Sequence, residues 1–235
     1  MKAFTLIVRW FLILMSTIFL ISCALLPAIK PAERAADTVQ RCSQPFLDTP
    51  HRFVHAIEAS VPGGGTETFL GITVFDPASR SIRSAVVTIE GFVLFDARYD
   101  KELHVYRTLP PFNADRFAEY MMEDIRLIFL SPEERLSDAG ALEDGSTICR
   151  YGGNQDKIVD VIVHQDDAWE IGTYRNRFKR LRKINAYSVQ DGIPGMLELT
   201  AFESGHYSLS LKLISAEPVS PEEIRSEHEK TRDDE

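Results

Sequence analysis

The chain has 235 residues, with 35 acidic against 26 basic side chains and a formal charge of −9. That balance argues against a nucleic-acid partner, because neutralising phosphates takes clustered Lys and Arg. The length suits one domain with a proper core and is short for two.

The N-terminus comes first in chain order. Lys2 and Arg9 are the only charges before Lys30, and Trp10 to Ile21 is apolar apart from Ser16 and Thr17. A basic start followed by a short apolar run reads as a secretory signal, and the run is shorter than the ~20 residues of a membrane span. It ends in Leu20-Ile21-Ser22-Cys23. These four residues resemble the lipobox of bacterial lipoproteins, with an aliphatic residue three before the cysteine and a small one directly before it. Ile21, between them, is a less common choice. The resemblance implies removal of residues 1–22, a diacylglyceryl group on the Cys23 thiol and a further chain on its freed amine. Two or more chains make a stable anchor, since each buried methylene contributes only ~0.8 kcal/mol. Residue 24 is Ala rather than Asp, which in lipoproteins of two-membrane bacteria is the usual address for the outer membrane, so its periplasmic face is the expected location. Losing Lys2 and Arg9 with the signal moves the formal charge from −9 to −11.

Residues 23–44 read as lipidated cysteine and tether, with two prolines, several alanines, mixed charge and no sustained apolar face. Cys42 and Cys149 are the other two cysteines. In an oxidising compartment an even pair reads as a disulfide, here with a sequence separation of 107 (149 − 42); two buried thiols are the alternative. At the far end, residues 217–235 carry eight acids against three bases and read as a disordered tail. That leaves 45–216 as the domain.

Within the domain the apolar pattern has period two, with turn residues at regular intervals, as in an antiparallel meander. Strands are expected over 52–61, 66–75, 82–91, 92–100 and 102–109. The side chains assigned to the buried face are Leu70, Ile72 and Val74, then Ala85, Val87 and Ile89, then Val93, Phe95, Ala97 and Tyr99. The period changes after Pro110-Pro111. An amphipathic helix is expected from an N-cap at Asn113 or Asp115 to about Ser131, with Phe117, Met121 and Ile125 on one stripe and Ala118, Met122 and Ile128 beside them. A second, shorter helix is expected from Ser131, where Pro132 and Glu134 complete a capping box. Six further strands follow from "STICRY" to "YSLSLKLISA". The fold class is α+β: a curved antiparallel sheet of about ten or eleven strands, an incomplete barrel, with the helical insertion over its concave face. Either the helix closes an apolar cavity or it fills the space.

This order resembles the periplasmic lipoprotein carriers and receptors LolA and LolB and related outer-membrane lipoproteins. The residues that carry the likeness are "GFVLFDARYDKELHVYRTLPPF" (91–112), "EDIRLIFLSP" (123–132) and "KINAYSVQDGIPGMLELTAF" (183–202). The likeness spans about residues 50–215 and is one of order and rhythm. It implies a cavity for acyl chains or lipoproteins, lined here by Leu70, Ile72, Val74, Val87, Ile89, Val93, Phe95, Tyr99, Phe117, Met121 and Ile125. It also implies no catalytic residues and no cofactor.

Other motifs read as structural. The sequence holds no G-x-S-x-G elbow, H-E-x-x-H or phosphate-binding glycine loop. "PGGG" (62–65) joins two strands and reads as a turn. "HQDDAWE" places His164, Asp166, Asp167 and Glu170 close in sequence, but strand alternation sends neighbours to opposite faces, so an acidic turn is the better account than a metal site. Ser204 and His206 lie in a hairpin turn and form no triad. "RNRFKRLRK" (175–183) has six bases in nine residues. Along a strand Arg175, Arg177 and Lys179 share one face, a candidate patch for anionic lipid head groups, with a solvated, ion-paired hairpin as the alternative. The expected function is that of a lipid-anchored, non-enzymatic protein that binds a hydrophobic or acylated ligand. The competing expectation is an assembly lipoprotein that docks to another envelope protein.

Overall fold

The computed structural model describes residues 26–32, 35–60, 65–114, 116–153, 157–203, 206–220 and 222–223. Cys23, most of the "PGGG" turn, Asp115, Ser204 and the tail beyond Glu223 lie outside them. The elements in chain order are β1 (Lys30–Pro31), α1 (Ala35–Ser43), β2 (His51–Ser60), β3 (Thr66–Asp76), β4 (Ser81–Val87), β5 (Val93–Tyr99), β6 (Leu103–Thr108) and α2 (Phe117–Phe129). There follow β7 (Leu136–Ala141), β8 (Thr147–Tyr151), β9 (Ile158–Val163), β10 (Trp169–Asn176), β11 (Lys179–Gln190), β12 (Ile193–Ala201) and β13 (Ser208–Pro218). Among the described residues no helix is long and apolar enough to cross a membrane.

All thirteen strands join one curved antiparallel sheet in the order β1-β7-β8-β9-β10-β11-β12-β13-β2-β3-β4-β5-β6. Most neighbours are sequential hairpins. The exception that shapes the sheet is β13, which returns to β2 and pairs from Ser208↔Ser60 to Pro218↔His51. The sheet is not closed, since β1 and β6 remain its edges.

One face is covered by both helices. Its continuity can be followed through the register Cys149↔Val161↔Ile171↔Ile184↔Leu199, all five residues at most 1% exposed. β9 is buried on both faces. On its outer side Arg150 pairs with the fully buried Asp160 at 2.7 Å and also donates to Pro27 O at 3.1 Å. Burial raises the Asp160 carboxyl above its ordinary value, and the bonds from Arg150 work against that rise. The N-terminal segment lies over this side so closely that a Cβ on Gly140 would sit 2.0 Å from Lys30 O.

The expected tether therefore contributes structure. Its residues 30–31 extend the sheet, and Ala35–Ser43 form a helix that packs on β7, β8 and β9. Cys42 and Cys149, both fully buried, are joined as a disulfide. By the chain-entropy argument, a loop of that size adds about 4–5 kcal/mol to stability. The start of the expected tail is also structured: Glu217 and Pro218 end β13, and Val219 is buried.

Three further expectations are corrected. Among the described residues there are thirteen strands, where about ten or eleven are expected. The capping-box segment after Ser131 is no helix: it leads into β7, because Leu136–Ala141 pairs with β8 on one side and β1 on the other, and two partners outrank a local capping signal. The faces of β3 and β4 are inverted, and the side chains turned to the helices are Phe69, Thr73 and Phe75, then Ile82, Ser84 and Val86. Leu70, Ile72, Val74, Ala85 and Val87 lie on the outer face, part-exposed. Both faces of these strands read apolar, and counting aliphatics picks the wrong one because two phenylalanines fill the inner face while Gly71 and Thr73 dilute it. The register leaves no slack, since Thr73 and Ser84 meet through their hydroxyls at 3.2 Å and a Cβ at Gly71 would come within 2.5 Å of Ile57 Cδ1.

Candidate functional site

The site is built around α2. The helix begins at Phe117, with Arg116 as N-cap in the left-handed region (φ 61°) in place of the expected Asn113 or Asp115. Arg116 bonds Glu119 at 2.9 Å, which sets a carboxylate in the first turn where the helix dipole favours it. The buried residues of the helix are Met122, Asp124, Ile128 and Phe129. Phe129 stacks on Phe53 and Phe75 with ring centroids 5.1 and 5.4 Å apart. At the other end Phe117 meets Phe112, which meets Phe69, both edge-on at 5.2 Å. His55, 3% exposed, lies beside Phe129 at 6.3 Å, and burial lowers its pKa to about 4, so it is neutral here.

Asp124 breaks the apolar stripe. Its carboxylate accepts from Arg182 Nε at 2.7 Å and from the Tyr207 hydroxyl. Arg182 in turn donates through Nη1 to Glu203 at 3.0 Å and to Leu181 O at 3.0 Å, with its guanidinium 5.8 Å from the Tyr207 ring centre. Asp124 and Arg182 side chains are 4% and 5% exposed. Burial raises the Asp124 carboxyl above its ordinary value, and Arg182 and Tyr207 draw it back by bonding the charged form. Burial and the neighbouring carboxylate both push the Tyr207 hydroxyl up, so it stays a donor. The helix is thus hung on the sheet by a directional, water-excluded pair as well as by apolar contact. An ion pair between Lys157 and Glu123 adds a second tie.

Beside α2 lies a groove of about 390 Å³. Its lining includes Met122, Leu127 and Leu130 from the helix and its end, Tyr99 and Leu103 from β5 and β6, and the loop Ser131–Glu134. Charged side chains of both signs line it as well: Arg80, Arg126 and Lys157 among Glu119, Glu123, Glu133 and Glu134. Arg126 lies 4.2 Å over the Tyr99 ring, and Glu133 receives Arg80 at 2.8 Å and Arg126 at 3.2 Å. The result is an amphipathic channel in the size range of small-ligand sites.

Of the expected cavity residues, Phe95 is fully buried on the helix-covered face, Tyr99 lines the groove, and Phe117, Met121 and Ile125 are part-buried along α2. Leu70, Ile72, Val74 and Val87 do not join them, Val93 pairs with Val87, and Ile89 is 69% exposed in a turn. Sequence reasoning missed Asp124 and Arg182, although a lone acid on an apolar helix stripe and an arginine in a strand of alternating pattern were signals. In the "HQDDAWE" turn, His164 Nδ1 meets Ser146 Oγ at 2.9 Å, Asp167 pairs with Arg41 at 3.3 Å, and Glu170 with Lys183 at 3.0 Å. These side chains face different partners.

Compared by sequence, the chain matches no family model and no curated protein. Compared by structure, it is similar to a LolA superfamily protein from Nitrosomonas europaea, with a TM-score of 0.53 and 11% identity over 82% of this chain and 97% of that one. A DUF1329 family protein from Desulfovibrio piger aligns with a TM-score of 0.47 and 12% identity over 82% and 95% of the two chains. At such identity the first likeness speaks for architecture: the chain has a LolA-like fold.

Proposed function

We propose that this is an envelope lipoprotein, anchored through Cys23 at the periplasmic face of the outer membrane, whose LolA-like domain binds a hydrophobic or acylated ligand beside α2. The observation that carries the reading is the groove. Leu103, Met122, Leu127 and Leu130 offer it an apolar wall, while a charged rim, in which Arg80 and Arg126 meet Glu133 and Lys157 meets Glu123, offers polar partners to a head group. An amphiphile has that pattern. One wall is a helix held by few, identifiable ties, so it is the natural part to move when a ligand enters. The LolA-like architecture supports this as analogy of fold, and the groove supports it as chemistry.

A second reading has its own observation. Phe53, Phe75, Phe129 and Met122 pack the space between sheet and helix, which favours an assembly protein that docks to another envelope component through its surface.

Native mass spectrometry of the gently purified full chain, followed by titration with a fluorescent fatty acid, separates the two. The ligand reading expects a co-purifying acyl mass and saturable uptake. Leu127→Glu should weaken that uptake at least about tenfold, since burying one leucine is worth ~1.5–3 kcal/mol. A bare protein mass with no uptake sinks the ligand reading and leaves the docking one.

A further inference from the structure

The basic run 175–183 divides in the folded chain. Arg182 turns inward to Asp124, and Arg180 and Lys183 face Glu170 at 3.9 and 3.0 Å. Arg175, Arg177 and Lys179 stay exposed at the end of the β10–β11 hairpin. Arg175 makes one long contact with Glu203 at 3.5 Å, and among the described residues Arg177 and Lys179 form no ion pair. Between them Phe178 is 61% exposed. Phe202, whose N–H bonds Leu181 O at the base of the same hairpin, is 39% exposed. The turn is already held by Phe178 N–H donating to Asn176 Oδ1 at 2.9 Å, so folding does not call for the ring in water. An aromatic ring ringed by bases suits the boundary of an anionic bilayer, where apolar side chains enter the head-group layer and each base is attracted to the surface.

We propose that the β10–β11 hairpin docks the domain onto an anionic lipid surface, with Phe178 entering the head groups and Arg175, Arg177 and Lys179 seated around it. The chain as a whole, at −9, is repelled by such a surface, so the attraction singles out this end and sets the orientation of the domain. This inference is independent of what the groove holds.

The test puts a tryptophan at the tip. The full chain with Phe178→Trp is reconstituted into brominated phosphatidylcholine vesicles, with and without phosphatidylglycerol, and compared with Tyr187→Trp, which sits eight residues past Lys179 on the same strand. The expected result is a blue shift and quenching at position 178 alone, in the phosphatidylglycerol vesicles alone, lost in high salt. Adding Arg177→Glu and Lys179→Glu should remove it, each base lost weakening attachment about fivefold. Far-UV circular dichroism and the urea midpoint of the same variants should equal the parent's, which separates lost docking from lost folding. Equal quenching at 178 and 187, no quenching at 178, or quenching indifferent to phosphatidylglycerol and to the two charge reversals overturns the proposal.

Discussion

Strands β8 to β12 and strands β2 to β5 share one inner face but fill it differently. In the first region an aliphatic row crosses five strands, from Cys149 through Ile184 to Leu199, and β9 is sealed on its outer side by the N-terminal segment. In the second, rings and small polar groups dominate: Phe53, Phe69 and Phe75 stand among His55, Thr73 and Ser84, and α2 covers them. The aliphatic row is covered in part by α1, which packs on β7, β8 and β9 and is bridged to Cys149. Rings spaced by small residues need a partner surface, and Phe129 and Met122 supply it. The groove lies on this second side, where the core depends on a helix that is attached rather than woven into the sheet.

The contrast can be broken at several points. Arg182→Met leaves the Asp124 carboxylate buried with only Tyr207 as partner, and should cost about 3–5 kcal/mol in urea denaturation, whereas Arg182→Met with Asp124→Leu should recover much of that loss. A double variant as unstable as the single one would mean the pair is not what holds α2. Ile184→Ala, in the aliphatic row, should cost about 3 kcal/mol and leave fatty-acid uptake unchanged. His55 gives the helix-covered side a pH dependence. Unfolded it binds its proton near pH 6.5 and folded only near pH 4. Between these values the unfolded state holds more protons, so stability falls as pH drops, by about 2 kcal/mol at pH 5 relative to neutrality. His55→Leu should flatten that part of the stability curve, and an unchanged slope would assign it to other groups. The smallest effect is expected outside: Ile72→Ala on the outer face should cost under about 1 kcal/mol, because its side chain is part-exposed already.

Particular residues show why one region reads more easily than the other. "KIVDVIV" is a nearly unbroken apolar run, and β9 is indeed buried on both faces; only Asp160 interrupts it, neutralised by Arg150. For β3 the alternation of Leu70, Ile72 and Val74 is as regular as that of Phe69, Thr73 and Phe75, so period alone leaves the face open. "RLSDAGA" lacks any strand signal of its own and becomes β7 because β8 offers an edge. Ala35–Ser43 has too few apolar residues to read as a buried helix, and what seats it is Cys42 on Cys149.

By itself the sequence determined the strand–helix–strand order, the long amphipathic helix and the two cysteines fit for a bridge, because periodicity and residue chemistry act over neighbours a few positions apart. The tertiary structure alone decided which face of β3 and β4 turns inward, that β13 returns to β2, and that Asp124 meets Arg182 across 58 positions. Those outcomes depend on which surfaces are left to cover once the sheet has formed, and no local pattern carries that information.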